Sequence, residues 1–216
     1  MTPRKSLIHF DEAFFLGSMK NITNNSELIY TALFAGLWGV MEVTVGTILH
    51  TSRLPFRGTL LTIAAVVIIT IARSFINYRG SILALCTAAA TIKLITLPGF
   101  NITPFIAIMM EGLIGEAVFT LMKYKLWACV VAGSSIMIYT LLHSLIMQGV
   151  FFGMGIYNVY IDLMNSLGKG LNYDGEMSYI MIPIIISLYL IVGGAAGVFG
   201  WKTANRSKEI LAAEGV

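Results

Sequence analysis

The residues of this sequence that could do chemistry are ionisable side chains inside apolar runs. Glu42, Lys93, Glu111 and His143 each sit in a different hydrophobic stretch. A charge inside a hydrocarbon layer costs several kcal/mol unless it faces protein or water, so each is a candidate for function. Three chemistries are open to the set. Carboxylates and an ammonium can bind a polar or zwitterionic solute. Glu42, Glu111 and Glu116 can relay protons. His143 with a carboxylate can work as an acid–base pair. Gln148, one to two turns beyond His143, and Asn101, in a turn before the fourth stretch, add neutral hydrogen-bonding groups. Against all three stands a plain structural role, in which Lys93 pairs with Glu42 or Glu111 only to hold helices together.

The motifs of common enzymes are missing. There is no G-x-x-x-x-G-K-[ST] phosphate loop, no H-E-x-x-H and no paired Cys/His metal spacing. There is no G-x-S-x-G elbow either. The residues point away from an enzyme, and neither a cofactor nor a bound metal is expected. Cys86 and Cys129 lie in apolar runs and read as small hydrophobes.

The elements that must position these residues are membrane helices. Of 216 residues, 57% are hydrophobic and 12% charged, where soluble domains carry about 25% charged. About 20 apolar residues cross the roughly 30 Å hydrocarbon core. Spans are expected at 28–49, 59–76, 81–97, 103–122, 126–152 and 178–201, with a long polar loop at 157–177 that includes a short helix. The fold class is therefore all-α, a polytopic membrane protein of six transmembrane helices. The segment 1–26 is an interfacial helix or a tail, 27–201 is the membrane domain, and 202–216 is a short polar tail. The N-terminal segment lacks the apolar core and cleavage site of a signal peptide, so the spans themselves direct insertion.

Six spans put both termini on one side. With the N-terminus inside, the inner segments hold nine lysines and arginines and the outer segments hold Arg53, Arg57 and Lys169. The positive-inside rule then gives N-in and C-in. Counting from the outer ends at 1.5 Å per residue places Glu42, Glu111 and His143 about 12–13 Å deep, with Lys93 somewhat shallower. Four ionisable groups from four spans share one layer. Glu116 and Arg73 lie deeper, with Arg73 snorkelling to the inner interface.

The first span also carries small residues four apart, Ala32 with Gly36 and Ala35 with Gly39. In lipid such faces let helices pack closely. With six spans, the N-in orientation and this small-residue first helix, the chain resembles the substrate-binding S components of energy-coupling factor transporters. The resemblance implies capture of a vitamin or related micronutrient at the prokaryotic cell membrane. It implies docking through Ala32, Ala35, Gly36 and Gly39 on a transmembrane T subunit that carries two ATPases. It makes 50–58, with His50, Arg53 and Arg57, a gating loop, and 157–177 a second lid. Substrate contacts would come from the outer layer: Glu42, Lys93, Glu111, His143, Gln148 and Asn101.

Three other readings compete. A stand-alone secondary or proton-coupled carrier would use the carboxylates as relays, and it would be expected to show an inverted repeat; none is evident between the two halves. A membrane enzyme would need His143 as acid and base. A structural subunit would seal the charges into ion pairs with no cavity.

Overall fold

The structure is a computed structural model that describes residues 25–51, 57–96, 102–170 and 175–214. The first 24 residues, Arg53 and Asn101 lie outside the described residues, as do the side chains of His50 and Thr51.

All regular structure among the described residues is helical. The helices are α1 (Asn25–Thr51), α2 (Arg57–Phe75), α3 (Ser81–Thr96), α4 (Ile102–Met122), α5 (Leu126–Phe152), α6 (Gly155–Gly170) and α7 (Ser178–Ala213). Five of them, α1, α2, α4, α5 and α7, are long and apolar enough to cross a membrane, which makes this a multi-pass membrane protein. The third expected span is shorter: α3 has 16 residues, about 24 Å of rise.

Three boundaries differ from the sequence expectation. Helix α1 continues to Thr51 and α2 starts at Arg57, so His50, Arg57 and Gly58 lie on helices rather than in the expected loop. The polar segment after α5 is one regular 16-residue helix, α6. The expected tail from Lys202 continues α7 without a break to Ala213. No proline or glycine interrupts Lys202–Ala213, so helix propensity runs on past the apolar span. Ala204 is buried there, and the Lys208 ammonium lies 5.5 Å from the Phe75 ring centre and 5.8 Å from that of Tyr124.

Helix α2 is the hub and packs against α1, α3, α4, α5 and α7. Its Ala65, Val66, Ile69 and Ala72 are in the core. Close approach elsewhere depends on missing side chains. Gly133 of α5 faces Gly193 of α7 backbone to backbone, and a Cβ on Gly200 would come within 2.8 Å of Thr70 on α2. The glycine face of α7 is thus spent inside the chain. Helix α1 is peripheral and packs on α2 and α3. Helix α6 packs on α5 and α7 only.

Candidate functional site

Five helices each send one polar side chain into a common layer: Glu42 from α1, Thr62 from α2, Lys93 from α3, Glu111 from α4 and Thr140 from α5. The Glu42 and Glu111 residues are each 5% exposed. The Lys93 ammonium pairs with Glu42 Oε2, and Trp38 Nε1, one turn earlier on α1, donates to Glu42 Oε1 at 3.3 Å. Of the two pairings open to Lys93, the one formed is with Glu42.

Glu111 is bound by hydroxyls. Thr62 Oγ1 donates to its Oε1 at 2.8 Å, while Thr140 Oγ1 lies 3.3 Å from the same oxygen, 3.1 Å from Thr62 Oγ1 and 3.1 Å from the carbonyl of Ile136 on its own helix. Both reach the same oxygen. Glu111 Oε2 accepts no hydrogen bond from the described residues. Glu42 and Lys93 lie within electrostatic reach of Glu111. An ammonium has three donors, and Lys93 spends one on a side chain.

His143 joins from the next part of α5. Its Nδ1 is 3.1 Å from the hydroxyl of Tyr139, and their ring centres are 5.5 Å apart. Tyr139 is itself within electrostatic reach of Glu111. Gln148 is not in the layer's hydrogen-bond set. Its Oε1 accepts from Tyr160 of α6, and its Nε2 donates to Ser144 Oγ at 3.2 Å. It fastens α6 to α5. Arg57 is exposed on the first turn of α2.

Thr62, Thr140, Trp38 and Tyr139 were not evident as site residues in the sequence. Most threonines here donate to their own helix four residues back, as Thr44, Thr87 and Thr91 do. A hydroxyl that reaches across to Glu111 has the same sequence signature. The layer is nearly closed: the side chains of Glu42 and Lys93 are 4% and 14% exposed. A shallow groove of about 370 Å3 lies elsewhere, along Pro183, Ile184, Ser187, Leu188 and Ile191 of α7. It has no charged lining, and α7 supplies none of the five layer residues. Among the described residues no three His, Cys, Asp or Glu side chains are placed to hold a metal ion.

The deeper charges do something different. Glu116 accepts from the backbone N–H of Gly80 at 2.8 Å and of Ile82 at 3.0 Å. Arg73 Nη1 donates to Tyr78 O at 2.9 Å and Ser81 Oγ at 2.8 Å. Glu27 Oε1 accepts from Asn77 N at 3.1 Å. Three charged residues from α1, α2 and α4 therefore staple the turn between α2 and α3, at the end of the bundle where α1 begins.

The small residues of α1 divide into two faces. Ala35 and Gly39 are buried, and a Cβ on Gly39 would come within 2.7 Å of Ile92 Cδ1. Gly39 seats α1 on α3, and Ala35 belongs to the core. Ala32 is exposed, and a Cβ on Gly36 would meet nothing within 4 Å. Only Ala32 and Gly36 remain on the open surface.

Comparison with protein families, curated proteins and solved structures gives no match to this chain.

Proposed function

We propose that this chain is a membrane-embedded solute-capture subunit of the energy-coupling factor type, with its binding site in the layer of Glu42, Lys93, Glu111, Thr62 and Thr140. In this reading α3 completes six spans, both termini are cytoplasmic, and the site opens to the outside of a prokaryotic plasma membrane. The observation that carries it is Glu111: a buried carboxylate held through one oxygen by two hydroxyls, with the other oxygen uncommitted. A helix pin has no use for an unspent oxygen, whereas a solute can donate to it. The uncommitted oxygen of Glu111 and the spare donors of Lys93 favour a polar or zwitterionic micronutrient over an apolar one. His143 and Tyr139 extend the site along α5.

The proposed partner surface is the open Ala32–Gly36 face of α1, where a T subunit with two ATPases would pack. The test is co-purification. Gly36→Leu enters open space, so the variant should fold and retain solute but lose the T subunit and ATPases from gentle preparations. Unchanged recovery of those partners would remove this face from docking.

One observation favours a second reading. The free oxygen of Glu111 could also hold a proton, which would suit a stand-alone proton-coupled carrier. That carrier would move solute in vesicles containing this chain alone and a pH gradient. The capture subunit would bind solute there but not transport it.

A further inference from the structure

Helix α6 divides into three faces. Tyr157, Tyr160, Met164 and Gly168 follow helical spacing and are turned toward the protein. Beside them Val159, Leu163 and Leu167 form an exposed aliphatic stripe. The remaining arc is exposed and polar, with Asn158, Asp162, Ser166 and Lys169, and Ile161 at its border with the protein side is 40% exposed. No other helix here separates apolar from polar residues so cleanly among the described residues.

The rotation of α6 about its axis is fixed. Tyr157 OH donates to Leu145 O of α5 at 2.9 Å, and Tyr160 OH donates to Gln148 of α5. At the far end Asn165 Oδ1 accepts from Ser178 N of α7 at 3.2 Å. A Cβ on Gly168 would come within 2.8 Å of Met177, so the glycine allows that close contact. With both ends tied, the aliphatic stripe cannot turn inward. Nor does α6 reach α1, α2, α3 or α4, so it does not cover the Glu42–Glu111 layer as a lid would.

We infer that α6 is an interfacial anchor, lying along the bilayer surface with Val159, Leu163 and Leu167 in the acyl chains and its polar arc in water. The flanking spans select lipid as the occupant. Their ends next to α6 are themselves exposed and apolar: Val150, Phe151 and Phe152 end α5, and Ile180 and Ile182 begin α7. Those residues belong to helices apolar enough to cross a membrane, and α6 starts two residues after α5 ends, which holds it at the water boundary. A helix with one aliphatic and one polar exposed face is the form that lies in the headgroup region.

The test is spin-label accessibility on the full chain in phosphatidylcholine–phosphatidylglycerol nanodiscs. Single variants Val159→Cys, Leu163→Cys and Leu167→Cys are compared with Asn158→Cys, Asp162→Cys and Ser166→Cys. The native cysteines are buried and should stay unlabelled. The expected result is a several-fold higher ratio of oxygen to nickel-chelate collisions at the first three sites than at the second three. Equal, high nickel accessibility at all six would place α6 in water and overturn the inference. A stripe shielded from both reagents would mean that protein, a second copy or a partner, covers it, and would overturn it equally. Neither result depends on the solute-capture reading.

Discussion

Two groups of charged residues lie at different heights in this bundle, and they use their hydrogen-bonding capacity in opposite ways. At the end where α1 begins, Glu27, Arg73 and Glu116 bind mainly backbone groups: the N–H of Asn77, Gly80 and Ile82, and the carbonyl of Tyr78. In the Glu42–Glu111 layer the partners of the charged groups are side chains, and only Thr140 also bonds a backbone group, the carbonyl of Ile136 on its own helix. The difference is instructive because a membrane punishes unpaired backbone groups most. A turn between spans leaves N–H and C=O groups without helical partners, and each costs several kcal/mol in hydrocarbon. The stapled turn therefore follows from the fold. The layer is not demanded by any backbone group, costs the bundle energy, and leaves Glu111 Oε2 unspent. Polar groups the fold does not need are the better candidates for binding.

Three substitutions sharpen or break that comparison. The largest effect is expected from Lys93→Met, which strands the Glu42 carboxylate. Removing one partner of a buried pair costs about 3–5 kcal/mol, so the thermal midpoint in detergent should fall steeply. The double variant Glu42→Gln with Lys93→Met should recover most of that stability and still fail to bind solute. A double variant as unstable as the single one would make the pair a structural element like the stapled turn.

Next comes Glu116→Gln. The amide keeps one acceptor but turns an N–H toward a backbone N–H, which costs about 2 kcal/mol for a lost charge-assisted bond. Stability should fall while solute affinity of the folded fraction stays unchanged. A change in affinity at constant stability would erase the distinction between the two regions.

The smallest effect on stability is expected from Glu111→Gln. Its carbonyl can still accept from Thr62 and Thr140, so the midpoint should move by less than the equivalent of about 1 kcal/mol. A large loss of stability would count Glu111 among the structural charges.

The layer was legible in the sequence because depth follows from counting residues along apolar helices. Glu42, Lys93 and Glu111 were expected at similar depth, and they come within electrostatic reach of one another. Their hydroxyl partners were not legible, since Thr62 and Thr140 look like any threonine that bonds its own helix. The depth of Arg73 and Glu116 could be counted too. Their partners could not, because backbone groups of a turn leave no mark in residue types. The split of the α1 small residues was hidden for a related reason. Spacing of four defines a face, but only the packed bundle shows that Ala35 and Gly39 are buried while Ala32 is exposed and Gly36 faces open space. Helix α7 overran its expected end because hydropathy marks where the membrane stops and says nothing about where the helix stops.

The central claim is that the Glu42–Glu111 layer is a solute site, and native mass spectrometry of gently purified protein tests it most directly. Wild-type protein should carry a polar small molecule, and Glu111→Gln protein, equally folded, should be bare. Wild-type protein without any bound molecule, or a molecule retained equally by Glu111→Gln, would contradict the claim.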